Sequence, residues 1–194
     1  MKQGILFVIS APSGAGKHSV LHPIMARDPN IEYSISATTR PPRPGELDGR
    51  DYHFLSEAEF SRRLEAGEFA EWADVYGHLY GTLRGELDRR IGSGKDVVLE
   101  IDVQGMRSLK RMRPDALTVF ILPPSIEALA QRLRDRGTND EADMALRIEN
   151  ARGEIAASNE YDYIVVNDKL EDAIADMEAI IRAERCRKRR PQNA

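Results

Sequence analysis

"SAPSGAGKHSVLHP", residues 10–23, decides how this chain is read. It follows a short apolar run, "ILFVIS" at 5–10, and passes into helical sequence. A strand, a glycine-rich turn and a helix, in that order, are the context a phosphate-binding loop requires. Glycines let backbone N–H groups curve around an oxyanion, the helix start adds its positive end, and Lys17 reaches the outer phosphates. The first candidate site is therefore Ala11, Pro12, Ser13, Gly14, Ala15, Gly16, Lys17, His18 and Ser19. Two of these depart from the usual pattern. Ala11 stands where a first glycine is expected, and His18 replaces the hydroxyl that ligates Mg²⁺ directly in most such loops. Imidazole prefers softer metals and is too bulky to copy a hydroxyl. Ser19 offers a hydroxyl one residue on, and Mg²⁺ readily keeps several waters, so the ion is expected to be held through phosphates and water. His18 and His22 are four apart and share a helix face, which suits a transition-metal pair, although no third ligand is evident. Pro23 falls inside the helical stretch, where proline kinks a helix or costs ~3 kcal/mol.

The chain has 194 residues, 41% of them hydrophobic and 31% charged, which is enough for one domain with a real core. A formal net charge of −4 supplies no overall attraction to nucleic acid or anionic membrane. The basic run "RCRKRR" at 185–190 reads as a solvated tail. One cysteine, Cys186, excludes an internal disulfide framework and fits a reducing compartment. No stretch approaches the ~20 apolar residues of a membrane span, and the N-terminal run is too short for a secretion signal. A cytoplasmic protein is expected, with no membrane or nucleic-acid partner. Its oligomeric state is not legible.

Four near-continuous apolar runs, at 5–10, 96–102, 117–124 and 162–168, suit strands buried on both faces of a parallel sheet. Helical periodicity lies between them: Leu83, Leu87 and Ile91; Ile126, Leu129 and Leu133; Met144, Ile148, Ala151 and Ile155; Leu170, Ile174, Met177 and Ile181. Strands alternating with helices imply an α/β fold, here a three-layer one with a parallel sheet flanked by helices. Residues 34–82 differ, being rich in Pro, Gly, Thr and aromatics. They read as a small mixed α+β insertion whose helix starts with a capping box, Ser56 to Glu59, and a staple of Leu55 on Phe60. The expected organisation is a core of 1–33, 83–127 and 158–194, the insertion at 34–82 and a helical lid at 128–157.

The insertion carries "SATTRPPRPGELDGRDYHF" (36–54) and "EFAEWADVYGHLYGT" (68–82); "LEIDVQG", "RLRDRGT" and "YIVVND" follow in order. With "SAPSGAGK", these motifs closely resemble the guanylate kinase family over about residues 4–185. The resemblance implies a P-loop enzyme that moves the γ-phosphoryl group of ATP to GMP, and dGMP is expected to fit as well. Guanine presents two adjacent donors, N1–H and N2–H₂, beside the O6 acceptor. One carboxylate can accept from both, whereas adenine has an acceptor at N1. By resemblance Glu71 takes that role, with the hydroxyls of Ser36 and Thr82 near O6. Arg40, Arg43, Tyr52 and Tyr80 are assigned to the GMP phosphate, where arginines offer forked donors, and Glu46 holds an arginine in place. Glu100 and Asp102 alternate along a strand and are expected to point to one face at its C-terminal end. Glu100 would support the acceptor site; Asp102 would contact the guanine side or the Mg²⁺ water shell, or cap a helix.

Arg132 and Arg136 are four apart on one helix, and Arg147 lies on the next. Beside a phosphate loop, Lys17, Arg132, Arg136 and Arg147 suit phosphoryl transfer, which needs in-line positioning and cations rather than covalent chemistry. Asn167 matches a family position against the adenine. Two alternatives stand: another small-molecule kinase such as a ribose-bisphosphate kinase, and a non-catalytic interaction domain of the same build. Ser36, Glu71 and Thr82 argue against the first, and the retained Lys17 and arginines against the second.

Overall fold

The computed structural model describes residues 3–75, 77–135 and 141–187. Among these the order is β1 (Leu6–Ser10), α1 (Lys17–Arg27), β2 (Ile31–Tyr33), β3 (Ala37–Thr38), β4 (His53–Phe54), α2 (Glu57–Glu65), β5 (Phe69–Val75), β6 (His78–Leu83), α3 (Arg84–Gly92), β7 (Asp96–Glu100), α4 (Val103–Met112), β8 (Leu117–Leu122), α5 (Ile126–Asp135), α6 (Glu141–Ala156), β9 (Tyr163–Val166) and α7 (Leu170–Cys186). One sheet has the order β2-β7-β1-β8-β9, and β7 pairs in parallel with both β1 and β2. A second sheet, β4-β3-β6-β5, is mixed. The fold is thus α/β, a parallel sheet flanked by helices with a smaller mixed sheet beside it.

The chain divides into two compact units, Met1–Ser10 with Pro29–Val119, and Ala11–Asp28 with Phe120–Ala194. In the first unit, β1 and β7 are buried along almost their whole length, as continuous apolar runs predict. The mixed sheet has its own core of Ala37, Phe60 and Phe69, with Leu55, Leu64, Leu79 and Leu83 against it. Phe60 stacks on Phe69 with ring centres 4.3 Å apart. Leu55 joins this cluster, as the expected staple requires, but only half of the capping box forms. Glu59 N donates to Ser56 Oγ at 3.2 Å, while the Glu59 carboxylate turns to Arg62 and Arg63. A polar chain ties this sheet to its neighbours: His53 meets Glu86 at 2.9 Å, and Arg90 bonds both Glu86 and Glu32 at 2.7 Å.

In the second unit α1 packs against α7, and α5 and α6 meet through Leu129, Leu133 and Ala151, with Met144 and Ile148 alongside. Two expectations need correcting. The run at 162–168 is not buried on both faces: β9 is an edge strand, and Ile164 and Val166 are 49% and 48% exposed. The buried stripe of α7 is Ala173, Met177 and Ile181, with Leu170 exposed in its first turn. Pro23 lies inside the first helix, as its place in the helical stretch implies, and α1 continues to Arg27. No described helix is long and apolar enough to cross a membrane.

Removing the Phe60 ring empties the centre of the mixed sheet's core. Phe60→Ala should lower stability by about 3–5 kcal/mol, read by urea unfolding. A loss under about 1 kcal/mol would mean that the cluster relaxes around the gap and is not close-packed.

Candidate functional site

The phosphate loop occupies residues 11–16 between β1 and α1. Its shape needs Gly16, which caps α1 in the left-handed region (φ 87°), and no side chain caps the helix there. A helix start of this kind, with no side-chain cap, is where an anion is received. A Cβ on Gly16 would lie 2.4 Å from Asn167 Nδ2, so the position is closed to other residues by space as well. Asn167 is buried, and its side-chain amide donates to the Ala15 carbonyl at 2.7 Å. That bond turns a loop carbonyl outward, towards Asn167. The backbone oxygen of Asn167 in turn accepts from Arg132 Nη2 at 2.9 Å. Arg147 Nη1 donates to Ser13 Oγ at 3.2 Å. Two of the three expected lid arginines are therefore joined to the loop or to its brace. Arg136 lies outside the described residues. Lys17 is half-buried at the start of α1, and His18 and Ser19 are exposed in its first turn. Asn167, expected against the adenine, also braces the loop through its Nδ2.

The second candidate site lies in the other unit. Glu71 on β5 is 6% exposed and pairs across the sheet with Thr82 on β6, which is fully buried. Thr82 Oγ1 donates to Glu71 Oε1 at 2.6 Å. Burial raises the Glu71 carboxyl to about 7; the Thr82 bond opposes this and the Asp102 charge adds to it. Asp102 takes the helix-cap alternative, and only the expected strand alignment with Glu100 fails. Strand β7 ends at Glu100, so the alternation that would align the two carboxylates stops there. Asp102 instead caps α4, accepting from Gly105 N at 2.7 Å.

Gly105 was not singled out from the sequence, yet a Cβ there would lie 2.8 Å from Glu71 Oε2 and 3.3 Å from Asp102 Oδ1. Its bare Cα gives both carboxylates their room. The only signal available was a glycine in the first turn of a helix, where a better helix former is expected.

Beside this carboxylate lies a set of phosphate-type donors. Arg40 is held by Glu46, with Nη2 2.9 Å from both carboxylate oxygens, and its Nε meets Tyr80 Oη at 3.3 Å. Glu46 also accepts from Arg43 N at 2.7 Å. The Arg43 N–H, together with the Arg40 guanidinium and against partial desolvation, holds the Glu46 carboxyl below its usual range. The Arg40 guanidinium lies 5.5 Å from the Tyr52 ring centre, and Tyr52 and Tyr80 meet edge to face at 6.0 Å. Arg40, Glu46, Tyr52 and Tyr80 thus form one cluster, with the Arg43 side chain exposed at its edge. Ser36 precedes β3, and its carbonyl accepts from His53 N at 2.9 Å.

A parallel α/β sheet whose first strand enters an uncapped glycine loop defines a nucleotide-phosphate-binding protein of the P-loop class. A family model described as guanylate kinase matches residues 3–184. A guanylate kinase of Thermotoga maritima is 50% identical over 191 residues, covering 98% of this chain and 92% of that protein. One of Geobacter sulfurreducens is 44% identical over 193 residues, covering 100% and 95%. The crystal structure of guanylate kinase from Anaplasma phagocytophilum superposes with a TM-score of 0.77 at 34% identity, covering 97% and 89% of the two chains. The chain belongs to the guanylate kinase family.

The buried Glu71 carboxyl predicts a pH signature. It keeps its proton to higher pH in the folded chain than in the unfolded one. Its contribution is therefore full below about 4.5 and is lost as pH rises towards about 7. Glu71→Gln keeps a neutral group of the same shape and should remove that decline. Urea unfolding across the window should show the unsubstituted protein losing stability relative to the variant. Parallel curves would place the proton elsewhere.

Proposed function

We propose that the chain transfers the γ-phosphoryl group of ATP to GMP, giving ADP and GDP. The observation that carries this reading is Glu71, a buried carboxylate fixed by Thr82 within a guanylate kinase family chain that also has an uncapped phosphate loop. Ionised Glu71 accepts from guanine N1–H and N2–H₂ together. Adenine would set its N1 lone pair against the carboxylate, a mismatch that a polar site penalises heavily. Ser36 and Thr82 lie towards O6, and Glu100 and Asp102 complete this side. Arg40, Arg43, Tyr52 and Tyr80 take the GMP phosphate, with Glu46 holding Arg40 in register. The loop residues and Lys17 take the triphosphate of ATP. Arg132, Arg136 and Arg147 supply positive charge to the transferring group.

An oxygen of the GMP phosphate attacks the γ-phosphorus in line, and the bond from that phosphorus to the β–γ bridging oxygen breaks. The attacking oxygen is already ionised, so no general base is needed. What the chain supplies is position and charge. Mg²⁺ fits the donors present: the exposed Ser19 hydroxyl lies in the first turn of α1, and no described trio of His, Cys, Asp or Glu forms a cage. An ion held mainly by water and phosphate oxygens needs none. When bound, Mg²⁺ neutralises phosphate charge.

With ATP, Mg²⁺ and a panel of monophosphates, GMP should be phosphorylated faster than AMP, CMP or UMP by about 10⁴-fold. Lys17→Ala should abolish turnover. ATP binding with no transfer to GMP would end the kinase reading.

Gly105→Ala tests the base site separately. Pushing Glu71 aside by a fraction of an ångström should cut kcat/KM for GMP by about 10²-fold. The KM for ATP should stay unchanged. A fall in apparent kcat with both KM values unchanged would mean that Gly105 matters only to folding.

A further inference from the structure

The kinase reading leaves His22 unused and gives His18 no clear task. Both are exposed, with ring centroids 5.3 Å apart and planes tilted by 44°. They are brought together by one turn of α1, which runs from Lys17 to Arg27 without ending at Pro23. Two imidazoles bound through one nitrogen each at about 2.0–2.1 Å, with each ring centre about 1.2 Å beyond its nitrogen, sit roughly 5.3 Å apart at a tetrahedral angle. The observed centroid spacing matches that of a two-imidazole chelate.

We propose that His18 and His22 form a binding site for one divalent transition-metal ion of the imidazole-preferring class, Zn²⁺, Ni²⁺ or Cu²⁺. Imidazole nitrogen suits these ions and not Mg²⁺, which takes oxygen. The site is distinct in chemistry from the Mg²⁺ that accompanies ATP. Among the described residues no third His, Cys, Asp or Glu completes a cluster. The remaining coordination positions fall to water, which the exposure of both rings admits. The proposal does not rest on the kinase reading, because binding alone tests it.

The test is titration of the full chain with Zn²⁺ by calorimetry, and with Ni²⁺ by retention on an immobilised-metal column with no added tag. The unsubstituted protein should bind one Zn²⁺ per chain and be retained on the column. His22→Ala should weaken Zn²⁺ binding by about 10²-fold, since a chelate becomes a single contact. The His18→Ala variant should lose as much, and the double variant little more than either. His22→Ala should keep its GMP kinase activity with Mg²⁺ alone, which shows that it folds. The proposal is overturned if either single variant binds Zn²⁺ as the unsubstituted protein does. No binding by the unsubstituted protein overturns it as well.

Discussion

The Glu71 carboxyl sits among β5, β6 and α4, where the Thr82 hydroxyl donates to one of its oxygens. A buried carboxyl has two ways to avoid an uncompensated charge: keep its proton, or meet donors. Without a ligand, burial pushes it towards the first, with the carboxyl raised to about 7. Two donors arriving together would allow the second. Thr82 satisfies one oxygen, and the bare Cα of Gly105 leaves space at the other. The helix that brings Gly105 close is started by Asp102, whose cap bond ends on Gly105 N. One small constellation therefore sets the carboxylate's position, its room and its protonation, and the antiparallel pairing of Glu71 with Thr82 makes it possible.

The same logic recurs at the phosphate loop, with backbone in place of carboxylate. A loop that offers N–H groups to an anion must dispose of its carbonyls elsewhere. Asn167, arriving from the end of β9, takes the Ala15 carbonyl, and Arg132 takes the carbonyl of Asn167 in its turn. A bond between residues 152 positions apart shapes a local turn. In both places a glycine contributes by lacking a Cβ at a contact, Gly105 against Glu71 and Gly16 against Asn167. A packed polar site is limited by volume as much as by charge.

Patterns that report burial over several residues were legible in the sequence. The apolar runs of β1, β7 and β8 and the stripes of α5 and α6 appear because each repeats one environment. β2 was not foreseen: three residues, "IEY", are too few to carry a period, and only pairing with β7 makes them a strand. β9 misled for the opposite reason. Its composition is that of a central strand, and only the sheet order places it at an edge. Leu170 and Ala173 on α7 show that the buried stripe follows the neighbour a helix meets and not hydrophobicity alone. At the sites, Lys17, Glu71 and Arg40 were legible as residue types in motifs. What each touches was not, because Asn167 on Ala15 and Gly105 beside Glu71 join segments far apart in the chain.

Pro23 carries the argument about the loop one step further. A proline inside a helix costs ~3 kcal/mol. Val20, Leu21 and Ile24 are buried on the same helix, and burying such side chains contributes about 1.5–3 kcal/mol each. Burial therefore outweighs the defect, and α1 persists to Arg27 and packs on α7. The position of the defect matters as much as its size. The missing N–H at residue 23 would have bonded the carbonyl of Ser19. It lies beyond the first turn, whose N–H groups face the loop, so the anion-binding end of the helix loses no donor. A sequence can thus carry a helix-breaking residue a few positions after a phosphate loop and keep the loop intact.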